Sequence, residues 1–244
     1  MAQVEGKNPV YEALKGQRKI HEIFVKKGFS EDRIDEIINL AAQKGCRVNK
    51  VLDSEFEKRA STSVHQGIIA VGEDIKLWTI EELIDYAKKG EEPPLFVILD
   101  QIQDPHNMGA IIRTAYAAGA HGVIFPSDRA AGINSPVVLK SSAGAAEHLP
   151  LARVANINYT IKKLKQSGFW VAGAELQQAT TFYKQDLKGS LALVVGNEGS
   201  GLRRLVKENC DFLVKIPLKR DLDSLNVSVA AGILLYEIVR QRDD

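Results

Sequence analysis

Cysteine is scarce in this sequence: Cys46 and Cys210 are the only two among 244 residues. They stand far apart and match no metal-ligand spacing, which excludes a thiolate cluster and a disulfide scaffold. Two reduced thiols in a cytosolic protein are expected instead. No apolar run approaches the length of a membrane span, and the first residues, "MAQVEGKNPVYEALKG", hold no apolar signal core. A soluble, cytoplasmic chain is therefore expected. Excess charge is also missing. The formal net charge is +1, which by itself argues weakly against a nucleic-acid partner, although a basic face need not show in the total. There is no internal repeat and no low-complexity tract.

What is present is an ordinary globular balance of 45% apolar and 26% charged residues, enough for one large domain or two modest ones. Charge is unevenly spread. Residues 1–71 carry 12 Lys/Arg and 10 Asp/Glu, residues 72–94 carry 3 and 7, and residues 95–244 carry 17 and 14. An acidic joint thus separates two slightly basic pieces. The first piece reads as a small α/β unit. "NPVYEALKG" is helical and "HEIFVKK", "RVNKVL" and "QGIIAVG" are strand-like, while "SEDRIDEIINLAAQKG" is a helix with Ser30 as N-cap, Glu31 and Asp32 in its first turn and Gly45 as its stop. The joint contains one helix and ends in Pro93-Pro94, the composition of a connector between units of variable orientation.

From Leu95 the pattern becomes regular β-α alternation. The strands "LFVILD", "GVIFP", "PLARV", "WVAGAEL", "LALVVG" and "FLVKIPL" are apolar on both faces, as in a parallel sheet covered by helices on both sides. Helices are expected in "NMGAIIRTAYAAG", "SPVVLKSSAGAAEHL", "NINYTIKKLKQSG" and "SGLRRLVKENC". In open parallel sheets ligands bind beyond the carboxyl ends of the strands. Three such loops hold most of the unusual polar residues: "DQIQDPHNMGAIIR" with Asn107 and Arg113, "GNEGSGLRR" with Gly196 and Glu198, and "IPLKRDLDSLNVS" with Ile216, Ser224, Leu225 and Asn226. The second loop is not a dinucleotide fingerprint. It lacks G-x-G-x-x-G, and Glu198 would repel a pyrophosphate, whereas a ligand without phosphate such as S-adenosylmethionine suits it. A final helix beginning at about Ser224 or Leu225 is apolar nearly all round, which calls for burial or a subunit interface.

These three motifs, in this order and spacing, resemble the SpoU/TrmH family of RNA ribose 2′-O-methyltransferases of the SPOUT class. Within it they are similar to the bacterial enzymes that methylate a guanosine ribose in large-subunit rRNA. The resemblance extends to "VEGKNPVYEAL" and "VHQGIIA", which match the small RNA-binding domain of those enzymes, so it covers nearly the whole chain. It implies an RNA-binding domain over 1–71, a linker over 72–94 and a methyltransferase domain over 95–244. It also implies a deep trefoil knot, against the usual rule that chains do not knot, and a homodimer through the C-terminal domain with the active site near the interface.

The resemblance further implies the roles. Arg113 matches the family's central catalytic residue, often described as the base for the 2′-hydroxyl. A guanidinium does not normally deprotonate, and stabilising the alkoxide or binding a nearby phosphate is physically easier. Asn107, Ser224 and Asn226 match polar groups around the ribose and methyl donor, with helix capping as the plain alternative for Ser224 and Asn226. Glu198 matches an active-site carboxylate. Gly196, Ile216 and Leu225 match positions that hold S-adenosylmethionine through backbone groups. His106 and His148 have no partner at metal-ligand spacing, so no metal is assigned, and His65 reads as structural. Arg220 departs from the family, which usually has glycine there. A left-handed backbone would strain Arg220, whereas an outward side chain would face solvent or RNA. Two other readings stay open. One is action on a tRNA ribose, disfavoured by the N-terminal unit, and the other is a non-catalytic RNA-binding module on the same scaffold.

Overall fold

The computed structural model describes residues 1–28, 32–197 and 199–244. The N-terminal part is built from β1 (Ala2–Glu5), α1 (Lys7–Lys15), β2 (Ile20–Lys26), α2 (Asp32–Gln43), β3 (Arg47–Val51), α3 (Asp53–Arg59) and β4 (Ile68–Gly72). Its strands form a mixed four-stranded sheet in the order β1-β4-β2-β3. The helix α2 turns Ile34, Ile37 and Ala41 into the core, the spacing of one helical face. The expected cap Ser30 and first-turn Glu31 lie outside the described residues. Two short elements carry little sequence signal. The strand β1 includes Glu5, which is buried and accepts hydrogen bonds from the backbone N–H groups of Ser61 (2.5 Å) and Thr62 (2.9 Å), and α3 is only seven residues long.

The rest comprises β5 (Leu77–Trp78), α4 (Ile80–Ala87), β6 (Leu95–Asp100), α5 (Pro105–Ala117), β7 (Gly122–Pro126), α6 (Pro136–Ser141), β8 (Leu151–Val154), α7 (Ile157–Gln166), β9 (Trp170–Ala174), β10 (Thr180–Thr181), β11 (Leu191–Gly196), α8 (Arg204–Asn209), β12 (Phe212–Lys215) and α9 (Val227–Asp243). The eight strands form one sheet in the order β10-β12-β9-β11-β6-β7-β8-β5, and every neighbouring pair is parallel. Its central strands β6, β7 and β11 are buried at every residue, which explains their unbroken apolar runs.

Four expectations change. The helix expected over 135–149 breaks after Ser141, because the backbone turns left-handed at Ala143 (φ 51°) and Gly144 (φ 92°), and resumes only as a 3₁₀ turn at Ala145–Glu147. The helix expected from Ser200 starts at Arg204, and the final helix starts at Val227 rather than Ser224. The stretch 72–94 is not a free connector. It adds β5 to the edge of the large sheet, and α4 buries Ile80, Leu83, Ile84 and Ala87 against Phe96, Ile98 and Ile124. Its acids are used locally: Thr79 and Glu82 form a capping box at the start of α4, and Glu81 pairs with Lys163.

Nor are the two parts loosely hung. The apolar core runs continuously from Val4, Val10 and Ile23 to Leu99 and Met108. Between them lies a buried ion pair, Arg18 Nη2 to Glu147 Oε1 at 2.5 Å, with each side chain 3% exposed. Arg18 also donates to the Glu73 carbonyl (3.1 Å), His148 meets Glu12 at 2.7 Å, and Lys140 donates to the Val64 carbonyl at 2.9 Å. Burial pushes the Glu147 carboxyl up, against the opposing pull of Arg18. A buried pair costs little to replace as a whole and much to break. Glu147→Ala is therefore expected to cost about 3–5 kcal/mol in denaturant unfolding. The double change Arg18→Met with Glu147→Leu is expected to recover most of that loss.

Candidate active site and cofactor cavity

The carboxyl ends of β9, β11 and β12 surround a cavity of about 500 Å³, closed on one side by α9. That volume is in the range of small-molecule and cofactor sites. Gly196, Ile216 and Leu225, the three positions expected to hold a cofactor, all line it, as does Ser224. The wall at Gly196 is backbone packed on backbone: a Cβ there would fall 2.3 Å from the Gly201 carbonyl carbon. Asn197 and Gly201 exchange two backbone hydrogen bonds (3.1 and 2.9 Å), and Asn197 Oδ1 accepts from Gly199 N–H at 3.0 Å. The loop is thus a tight backbone cradle beside apolar Ile216, Leu218 and Leu225. Such a lining fits a largely apolar ligand whose polar edges meet main-chain groups. Sequence reading missed the β9 end, where Glu175 lines the cavity and pairs with Lys207 at 2.8 Å; the rule of strand carboxyl ends points there, but no motif marks it.

Beside the cavity two helix N-termini abut. Pro105 opens α5, capped by Asp104, whose carboxylate accepts from His106 N–H at 2.9 Å. Asn107 is the third residue of the helix and is buried. Gly109 lets α6 approach, since a Cβ would fall 2.8 Å from the Val138 carbonyl oxygen. Asn226 caps α9 through Oδ1, which accepts from Ser228 N–H (3.0 Å) and Val229 N–H (3.3 Å), while its Nδ2 donates to Asn107 Oδ1 at 3.0 Å. Capping and contact with Asn107 are therefore not alternatives for Asn226, and Ser224 lies before the start of α9. Both N-termini present partial positive charge at this junction. Arg113 is the ninth residue of α5, more than two turns in. It is exposed and, among the described residues, makes no hydrogen bond or ion pair. Neither Asn107 nor Arg113 lines the cavity itself. Glu198 lies outside the described residues.

Arg220 is exposed and its backbone is not left-handed, so the strain considered for it is absent. At the end of β6, Asp100 is fully buried and accepts from Arg203 through both carboxylate oxygens. Burial pushes the nearby Cys210 thiol up to about 12, leaving it unreactive at neutral pH. No group of three or more potential metal ligands occurs among the described residues. Gly196→Ala is expected to force the Gly201 backbone aside and to lower stability by about 1–3 kcal/mol, as measured by thermal denaturation.

Comparison with known proteins agrees with this geometry. The SpoU rRNA Methylase family model matches residues 94–236, and the RNA 2′-O ribose methyltransferase substrate binding model matches residues 3–78. The 23S rRNA (guanosine-2′-O-)-methyltransferase RlmB of Pseudomonas putida is 43% identical over 229 residues, covering 92% of this chain and 90% of that protein. The AdoMet-bound rRNA methyltransferase of Sinorhizobium meliloti superposes with a TM-score of 0.82 at 27% identity, over 98% of this chain and 87% of that one. The SpoU methyltransferase AviRb of Streptomyces viridochromogenes, solved with AdoMet, gives 0.83 at 25% identity, over 99% and 90%. With a cavity at the strand ends, two asparagines joined beside it and these matches over both parts of the chain, the protein belongs to the SpoU methylase family.

Proposed function

We propose that this protein transfers a methyl group from S-adenosylmethionine to the 2′-hydroxyl of a guanosine ribose in 23S rRNA. The observation that carries the reading is the junction at residues 225–226. Leu225 lines the cavity, and the next residue, Asn226, is hydrogen-bonded to Asn107. A methyl donor in the cavity and a ribose at the paired asparagines would then be neighbours. S-adenosylmethionine supplies a methyl on a sulfonium, so no metal is needed for the transfer. Gly196, Ile216 and Leu225 would hold its adenine by main-chain groups.

A ribose hydroxyl is a poor nucleophile at neutral pH, so the site must favour the alkoxide. Arg113 serves this role in our reading. Its exposed guanidinium, without an ion pair among the described residues, can bind an RNA phosphate and stabilise negative charge at the 2′-oxygen. Asn107, Ser224 and Asn226 orient the ribose, and Glu198 is assigned the active-site carboxylate. Residues 1–71 are assigned the choice of RNA, and residues 95–244 the chemistry and the knot. A tRNA substrate is the weaker alternative, since the 23S rRNA relative matches 92% of this chain whereas the tRNA-modifying A. aeolicus TrmH/SpoU structure covers 67% of it. Such chemistry belongs in the cytoplasm, and no helix among the described residues is long and apolar enough to cross a membrane.

The same reading includes a homodimer. The helix α9 buries Val227, Ala231, Leu234, Leu235 and Ile238, and leaves a stripe of Val229 (51% exposed), Ile233 (37%) and Tyr236 (53%) uncovered. The spacing of three and four residues is a docking face, and a second copy is the partner it fits. Obligate interfaces of this kind bury on the order of 2,000 Å² or more. Ile233→Asp is expected to yield a monomer by light scattering at micromolar concentration.

Arg113→Ala is expected to lower single-turnover methylation of 23S rRNA by roughly 10²–10³-fold while leaving cofactor affinity near normal. Arg113→Lys keeps the charge but not the planar fork, and recovers part of the loss. Transfer of label to total tRNA in place of rRNA would move the assignment to the tRNA reading.

A further inference from the structure

The strand β6 ends in a carboxylate that the assigned chemistry does not use. Asp100 is 0% exposed. Its Oδ2 accepts from the Arg203 backbone N–H at 2.9 Å, and its Oδ1 accepts from Arg203 Nε at 2.7 Å, with Nη2 also at 2.7 Å. A buried ion pair gives little net stability compared with apolar side chains of the same size. Its position is more informative than its strength.

Arg203 closes the loop that begins at Gly196 and walls the cavity. The other end of that loop is tied to the same place, because Asn197 Nδ2 donates to the Gln101 carbonyl at 3.1 Å. Gln101 itself is left-handed, with φ 65°, directly after Asp100. A non-glycine residue holds that conformation only where its surroundings over-determine it. Both ends of the cavity loop are therefore fastened to the two residues at which β6 turns toward α5. Those residues lead within one short turn to Asn107. The loop that would hold the methyl donor and the helix that would hold the ribose share one anchor.

We propose that Asp100 and Arg203 are a positioning pair for methyl transfer. They hold the cavity loop in register with the N-terminus of α5, and so set the methyl donor against the ribose without touching either. The inference rests on the methyltransferase reading above. Both residues act through their neighbours, and neither lines the cavity.

The test compares wild type with Arg203→Lys, Arg203→Ala and the charge-free pair Asp100→Asn with Arg203→Gln. Four quantities are read on full-length protein: S-adenosylmethionine affinity by calorimetry, affinity for a 23S rRNA fragment, single-turnover methylation of that fragment at saturating cofactor, and melting temperature. Arg203 is 41% exposed at its side chain, so its replacement leaves no internal void. Arg203→Lys keeps the charge beside Asp100 and should remain folded, with the loop free to shift. Loss of a charge-assisted tie of this kind is expected to weaken cofactor binding and slow transfer roughly 10- to 100-fold. Affinity for the RNA fragment should stay within twofold of wild type. The charge-free pair should keep its melting temperature yet share the binding defect. If every folded variant binds cofactor and transfers methyl within about twofold of wild type, the positioning role is overturned, whatever happens to stability. If wild type itself binds no cofactor with or without RNA, the methyltransferase reading falls and takes this inference with it.

Discussion

A parallel strand buried on both faces has nowhere to put a polar side chain except at its end. That constraint governs the large sheet here. The six residues of β6 and the six of β11 are all buried, and each strand gives way to polar sequence only where it leaves the sheet. Every carboxyl end points the same way, because all neighbouring strands are parallel. The residues that could not be placed along the strands are thereby gathered at one edge. The helices that follow begin at that edge too, so their N-termini bring partial positive charge to it. Cavity and paired asparagines are consequences of one packing rule.

The same rule made much of the site legible in the sequence. The strands over 95–100, 122–126 and 191–196 end where they were expected to, because unbroken Val/Leu/Ile runs bounded by Gly, Pro or Asp have few other solutions. The loops that follow could be singled out for the same reason. What escaped was anything decided by tertiary contact. A two-residue strand such as β5 has no periodicity to detect, and an acidic helix with Pro-Pro after it has the composition of a linker even when Leu83 and Ala87 are fully buried. The start of α9 was displaced because Leu225 is apolar yet faces the cavity instead of joining the helix. Apolar content in α9 left burial and a subunit interface both open, and the structure leaves one stripe uncovered, since composition counts residues and not directions.

Charge told a partial story for a similar reason. The three segments differ by only a few units in net charge, yet the contact between the two parts of the chain is electrostatic at its centre. Arg18 and Glu147 lie 129 residues apart and carry no local signal of each other. Their burial is possible because apolar side chains from both parts close around them. Burial raises the Glu147 carboxyl against the pull of Arg18, so separating the pair would leave an uncompensated buried group.

Asn226 joins two properties that usually vary separately. One end of its amide closes the first turn of α9, and the other end holds Asn107. Fraying of that turn, the cheapest motion available to a helix, would therefore loosen the hold on Asn107 while the sheet is still intact. If the proposed function holds, heat would then switch the activity off at this turn before the fold itself melts.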